Sequence, residues 1–199
     1  MGNRAADALF TCLDPRRMNL DGTPYELEPM RPHHVPTVAS IEKRVFTHPW
    51  SYASFMHEVS SNPYSEYLVL RFRPYAASSS RGARGTAALR KLVRGQEDDR
   101  SILGYGGFWL VLDEAHICTL AVRSEWRGRG LGELLLAALI ERAVMRKAAY
   151  LTLEVRKSNV VAQNLYLKYG FEQTGVRKGY YLDNREDALI MSTGPIGEE

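Results

Sequence analysis

Residues 117–140 restrict the fold more tightly than any other stretch of the chain. Ile117-Cys118-Thr119-Leu120-Ala121-Val122 is a short apolar run that reads as a strand. Glu133-Leu134-Leu135-Leu136-Ala137-Ala138-Leu139-Ile140 reads as the opening of a helix. Between them lies Arg127-Gly128-Arg129-Gly130-Leu131-Gly132. Strand, glycine-rich turn and helix in that order build an anion site. Glycine removes the Cβ that would hold a ligand away from the main chain. The amides of the first helical turn lack intrahelical acceptors and point outward, where the helix dipole favours negative charge. Arg127 and Arg129 add fork-shaped donors that suit phosphate. The combination predicts a phosphorylated cofactor. Taken alone, a glycine-rich turn with solvated arginines is the plain alternative.

Three phosphate-loop patterns compete. A nucleotide loop ending in Gly-Lys-Ser/Thr fails, because no Lys or Ser/Thr follows Gly132. The dinucleotide fingerprint Gly-x-Gly-x-x-Gly fails, because glycines 128, 130 and 132 are spaced by two. The pattern Arg/Gln-x-x-Gly-x-Gly/Ala is met by Arg127, Gly130 and Gly132. It resembles the pyrophosphate loop of the GNAT acetyltransferases, which bind acetyl-coenzyme A. Downstream, Leu153-Glu154-Val155-Arg156-x-Ser158-Asn159-x-x-Ala162-x-x-Leu165-Tyr166-x-x-x-Gly170-Phe171 resembles the C-terminal half of the RimI family. Those GNAT enzymes acetylate the N-terminal amine of a ribosomal protein. The resemblance extends through Arg177–Tyr181, Arg185–Met191 and Phe46-Thr47-His48-Pro49-Trp50-Ser51, and covers roughly residues 25–72 and 101–193.

The resemblance implies an α/β GNAT fold: a mixed central sheet flanked by helices, with its central strands splayed beside the phosphate loop. Arg127, Gly128, Arg129, Gly130, Leu131, Gly132 and Glu133 would then hold the pyrophosphate of acetyl-CoA. The pantetheine arm would pair with the backbone of Leu120, Ala121 and Val122, which read equally well as plain core strand. Asn159 corresponds to a cofactor-contacting residue and also suits a simple N-cap. Glu154 would be the base, and Tyr166 the acid toward the departing thiolate. Structural alternatives are an ion pair of Glu154 with Arg156 or Arg177, and packing of Tyr166 on its helix. Tyr180 and Tyr181, expected in a loop between late strands, and Trp50 would grip the peptide.

Acetyl transfer needs a neutral amine, a polarised thioester carbonyl and help for the thiolate. An α-amine loses its proton near 7.7–8.0 and lysine near 10.4, so an N-terminus needs about 3.5 kcal/mol less deprotonation work. A glutamate near 4.3 is a weak acceptor, so a raised Glu154 pKa, a relaying water, or both are expected. The implied substrate is a protein N-terminus beginning Ala or Ser, that of a ribosomal protein. A small amine, a lysine side chain, or a non-catalytic acyl-CoA-binding role are the other readings.

At 199 residues the chain is read as one domain over 25–193, with an N-terminal extension at 1–24 and a tail at 194–199. No run of about 18 apolar residues exists, so no membrane span is expected. Cys12 and Cys118 do not make a disulfide framework, and Cys118 within an apolar strand reads as a packed, reduced thiol of a cytoplasmic protein. No Cys/His spacing suggests a metal, and the five histidines fall in no triad or ligand spacing. The net charge of +3 does not itself argue for nucleic acid. Residues 71–100 hold eight Arg and Lys against three acids. With Ala76-Ala77-Ser78-Ser79-Ser80 and three glycines, 73–100 reads as a mobile basic insertion with a short helical piece at Thr86–Arg94. It is either a solvated loop or an arm that docks on ribosomal RNA or an acidic partner. RimI-like chains have a short turn there.

Overall fold

The computed structural model describes residues 23–73 and 101–196. The expected N-terminal extension up to residue 22, the basic insertion from residue 74 with its helical piece, and the last three tail residues lie outside the described residues.

Seven strands of the described residues form one sheet in the order β1-β2-β3-β4-β5-β7-β6. Their ranges are β1 Tyr25–Pro29, β2 Ser65–Phe72, β3 Ile102–Val111, β4 Glu114–Val122, β5 Tyr150–Arg156, β6 Glu172–Tyr181 and β7 Glu186–Ser192. The first four pair antiparallel, β4 and β5 pair parallel, and β5, β7 and β6 are antiparallel again. This is the mixed sheet that the sequence implied. The parallel step falls where a helix, α3 (Leu131–Met145), crosses over between β4 and β5. The β3–β4 hairpin turns at Leu112-Asp113, one residue before the predicted Asp113-Glu114, and Leu112 adopts a positive φ of 57°.

Both sheet faces are covered. Helices α1 (Val35–Val45) and α2 (Tyr52–Ser60) bury Val38, Ile41 and Phe55 with Val69, Tyr105 and Ala121 of the sheet. Ser51 caps α2 through its hydroxyl, which accepts from Ser54 N at 3.0 Å. Gly107 lets β2 and β3 approach, since a Cβ there would lie 2.2 Å from the Tyr67 ring.

Helix α3 covers the opposite face. Its sequence places Leu131, Leu134, Leu135 and Ala138 on the core side. Leu131, Leu135 and Ala138 are buried and Leu134 half-buried, and burial extends over Leu136, Ala137, Leu139 and Ile140, while Glu141 and Met145 face solvent. Tyr166 of α4 (Val160–Lys168), Tyr169, Phe171 and Ile196 belong to the same core and complete its enclosure.

The sheet opens in its middle. β4 and β5 pair from Glu114↔Tyr150 to Ile117↔Leu153 and no further, although β4 continues to Val122 and β5 to Arg156. The splay expected from the sequence is therefore present, and the site lies in the opening.

Candidate active site

The loop after β4 begins with a 3-10 turn, Ser124–Trp126. Gly128 and Gly130 have φ of 73° and 78°, values that strain any residue with a Cβ. A Cβ at either position would meet nothing within 4 Å, so glycine is needed there for conformation, with open space above it. Gly130 is the N-cap of α3, and no side chain caps that helix. Its first-turn amides thus face the open side of the loop. The arginines shape the turn: Arg127 Nε donates to Val122 O at 3.2 Å, and the Arg129 guanidinium lies 4.7 Å above the Trp126 ring. Glu133 turns away to Lys168 Nζ at 2.5 Å and the Tyr169 hydroxyl at 3.2 Å, tying α3 to the end of α4.

Where β4 and β5 part, a cleft of about 390 Å³ opens. It gathers Leu120, Glu154, Asn159 and Tyr166 with Trp50, Tyr180 and Tyr181. Ala121, Val122 and residues 127–133 do not line it; they continue from its edge into the loop. Asn159 caps α4, its Oδ1 accepting from Ala162 N at 3.2 Å, and still borders the cleft. Trp50 stacks toward Trp109, centroids 6.0 Å apart. Tyr180 and Tyr181 lie on β6 itself, not in a loop. An irregularity in the β6–β7 register between Arg177 and Tyr181, with Gly179 at φ 58°, aims both rings at the cleft.

Glu154 is almost enclosed, its side chain 9% exposed. Oε2 lies 3.1 Å from His116 Nε2, and Oε1 lies 3.1 Å from the Arg177 guanidinium. The hydrogen bond from His116, helped by Arg177, holds this carboxyl below its ordinary value against the opposing effect of burial. The expected raised pKa is therefore not what the structure has. Arg177 is the arginine that pairs with Glu154; Arg156 instead binds Asp183 at 2.7 Å and Glu186 at 3.1 Å. Burial pushes the Tyr166 hydroxyl up to about 12. It stays protonated and can donate a hydrogen bond across the pH range of an ordinary enzyme.

Several residues in or beside the cleft carried no signal in the sequence. His116 falls in no triad or ligand spacing and does not line the cleft, yet the fold sets it against Glu154. Glu42 of α1 accepts from Trp50 N at 3.0 Å and from the Tyr105 hydroxyl, and burial raises its carboxyl to about 7. Cys118 borders the cleft and is only half-buried, rather than packed within the core. Desolvation pushes its thiol up to about 12, which makes it a poor nucleophile. Thr119 also borders the cleft; its Oγ1 is buried and has no hydrogen-bond partner among the described residues.

The sequence matches the Acetyltransferase (GNAT) family over residues 45–171. The chain belongs to that family. A Bacillus subtilis (strain 168) protein, provisionally named a ribosomal protein bS18-alanine N-acetyltransferase, is 40% identical over 81% of this chain and 90% of its own. The Escherichia coli (strain K12) ribosomal protein bS18-alanine N-acetyltransferase is 32% identical over 79% of this chain and 89% of its own. The crystal structure of the Escherichia coli enzyme superposes with a TM-score of 0.67 at 28% identity, covering 88% of this chain and 96% of that one. Arabidopsis thaliana NAA60 in complex with acetyl-CoA shares the fold, with a TM-score of 0.65 at 15% identity over 84% of this chain and 97% of that one. GNAT enzymes take their acetyl group from acetyl-CoA, and this GNAT chain is an acetyl-CoA-dependent N-acetyltransferase. Its residues suit that cofactor: an uncapped helix start, a strand edge without a β5 partner, and an orphaned Thr119 hydroxyl.

Proposed function

We propose that this protein transfers an acetyl group from acetyl-CoA to the α-amine of a ribosomal protein beginning with alanine or serine. One observation carries the reading. Glu154 and Tyr166 border a single cleft at the point where β4 and β5 part.

The main chain from Arg127 to Glu133 receives the pyrophosphate at the start of α3. The backbone of Leu120, Ala121 and Val122 pairs with the pantetheine arm, and Asn159 borders the same arm. Acetyl-CoA supplies an activated thioester carbonyl. Trp50, Tyr180 and Tyr181 wall the opposite side and align the peptide, paired aromatic rings being suited to contact surfaces. Glu154 receives the proton of the substrate amine. Its carboxyl is held low, so a proton it takes must move on, through water or a neighbouring group. Tyr166 donates a hydrogen bond to the departing sulfur. Full proton transfer from a hydroxyl near 12 to a thiolate near 8.5 is uphill by about 5 kcal/mol, so stabilisation of developing charge is the role that fits. An α-amine suits this site better than lysine because it needs less deprotonation.

The catalytic domain spans 25–193, with 1–24, 73–100 and 194–199 as additions to it. The enzyme works in the cytoplasm, beside its substrate. It needs no nucleic acid for catalysis, though the arginine-rich 73–100 stretch carries charge suited to RNA. The test is to incubate protein, acetyl-CoA and peptides with free N-terminal Ala or Ser, and to locate the added mass by fragmentation. Reaction confined to lysine side chains or small amines would overturn the substrate class.

A further inference from the structure

His116 sits in a chain of groups that leads away from the cleft. Nδ1 lies 2.9 Å from Thr152 Oγ1, and Thr152 in turn donates its hydroxyl hydrogen to Glu114 Oε1. On the other side Nε2 lies 3.1 Å from Glu154 Oε2. Register places the three polar groups side by side: His116 pairs with Thr152, and Glu114 lies two residues back on the same face of β4.

The direction of these bonds is decided by counting hydrogens. Thr152 has one hydroxyl hydrogen, and Glu114 accepts it. Thr152 can then only accept from the ring, so Nδ1 carries a hydrogen. That leaves the Nε2 lone pair facing Glu154 Oε2. Two acceptors at 3.1 Å need a proton between them. The His116–Glu154 contact is therefore built to hold one proton, on either partner.

We propose that His116 is a positioning residue for acetyl transfer, fixing Glu154 through Nε2 and drawing off the proton that Glu154 takes from the substrate amine. This rests on the proposed function above. The pair first yields its shared proton to water; as the neutral amine attacks, the C–N bond forms, the amine N–H bond breaks as a Glu154 O–H bond forms, and the C–S bond breaks with its electron pair leaving on the coenzyme A sulfur. The O–H bond on Oε2 then breaks as N–H forms on Nε2, which leaves Glu154 a carboxylate and His116 an imidazolium. Glu114 and Glu154 flank that cation, with Glu114 Oε1 at 4.0 Å from Nδ1. The imidazolium returns the proton to water through its exposed edge, the side chain being 28% accessible. The other charged group beside the pair is Arg177, whose guanidinium reaches the far oxygen of Glu154; Cys118 is a neutral thiol, and Trp109, the β3 register partner, is uncharged.

The experiment uses the full chain, acetyl-CoA and a synthetic peptide with N-terminal alanine. His116→Gln is expected to lower kcat by at least about tenfold at pH 7, with the acetyl-CoA KM within about twofold. The deficit is expected to shrink to under about threefold by pH 9.5, where hydroxide can draw the proton from Glu154 in place of the ring. A deficit equal at all pH values, or none, overturns the proposal. A second measurement needs no turnover: ¹⁵N imidazole NMR of the wild-type protein. Neutral His116 is expected as the Nδ1–H tautomer, shifting to Nε2–H in Thr152→Val. A wild-type Nε2–H tautomer overturns the proposal even in an active enzyme. Absence of acetylation of any N-terminal peptide by the wild type would instead overturn the proposed function, and the tautomer would still decide the hydrogen count.

Discussion

Thr47, between α1 and α2, donates its hydroxyl to Asp183 Oδ2, 2.6 Å away in the β6–β7 turn. Residues 136 apart thus meet across the mouth of the cleft. Arg156 braces the contact, reaching Asp183 and Glu186 while its guanidinium lies 3.8 Å over the Tyr181 ring. The Thr47 and Arg156 bonds hold Asp183 at about 2, and Ser158 with Arg156 holds Glu186 at about 2. Both depressed values lie below those of an unfolded chain. Their contribution is complete above about pH 5 and is lost only as pH falls toward 2. The rim therefore keeps its charge at any assay pH. Thr47→Val should raise the peptide KM roughly three- to tenfold with little change in kcat, and should speed amide exchange at 46–50 and 182–185. Steady-state kinetics and hydrogen-exchange mass spectrometry check both.

The loop glycine is replaceable only at the expense of the cofactor. Gly130→Val forces a β-branched residue into φ near 78° and puts methyl groups into open space at the start of α3. Affinity for acetyl-CoA should fall by at least about tenfold, or 1.4 kcal/mol, in a calorimetric titration. Arg127→Ala should weaken binding in the same direction, since it removes the bond to Val122 O that shapes the turn as well as a cation beside it.

Tyr166→Phe should leave cofactor binding nearly unchanged and lower kcat by about ten- to a hundredfold. The ring is buried and packs on Phe171, centroids 5.7 Å apart, so loss of the hydroxyl alone does not disturb its position. Equal losses of affinity in Tyr166→Phe and Gly130→Val would mean that the roles of the two residues are not separate.

Glu42 links stability to pH with the opposite sign to Asp183. Its carboxyl titrates near 4.5 when exposed and at about 7 in the fold. Between those values the folded chain holds a proton that the unfolded chain has lost, so stability falls as pH rises through that window. The full effect is about 3 kcal/mol. Glu42→Gln lacks this term and can still accept from Trp50 N. Its Tm relative to wild type should therefore rise by roughly 5–10 °C between pH 5 and pH 8. Parallel pH dependence in the two proteins would show that Glu42 ionises freely.

Local patterns were legible in the sequence. The turn from Arg127 to Gly132 depends on neighbours within a few residues. The mixed sheet and its splay followed from family resemblance. Relationships across the sheet were not legible. His116 and Thr152 are 36 residues apart, and Tyr105 and Glu42 are 63 apart. No spacing rule joins them; strand register and helix packing do. The same blindness explains Glu154: its task as proton acceptor suggested a raised pKa, a relaying water, or both, while His116 and Arg177, brought in by β4 and β6, lower its pKa.

The parting of β4 and β5 has a consequence for how such a chain can change over time. On the proposed function, what enters the gap is met by peptide groups, which every residue possesses alike. The side chains of Ala121 and Val122 are left to fill the interior, while Leu120 borders the cleft. Mutation can exchange them freely so long as their bulk is kept, and the grip on the cofactor survives because it was never encoded in their identities.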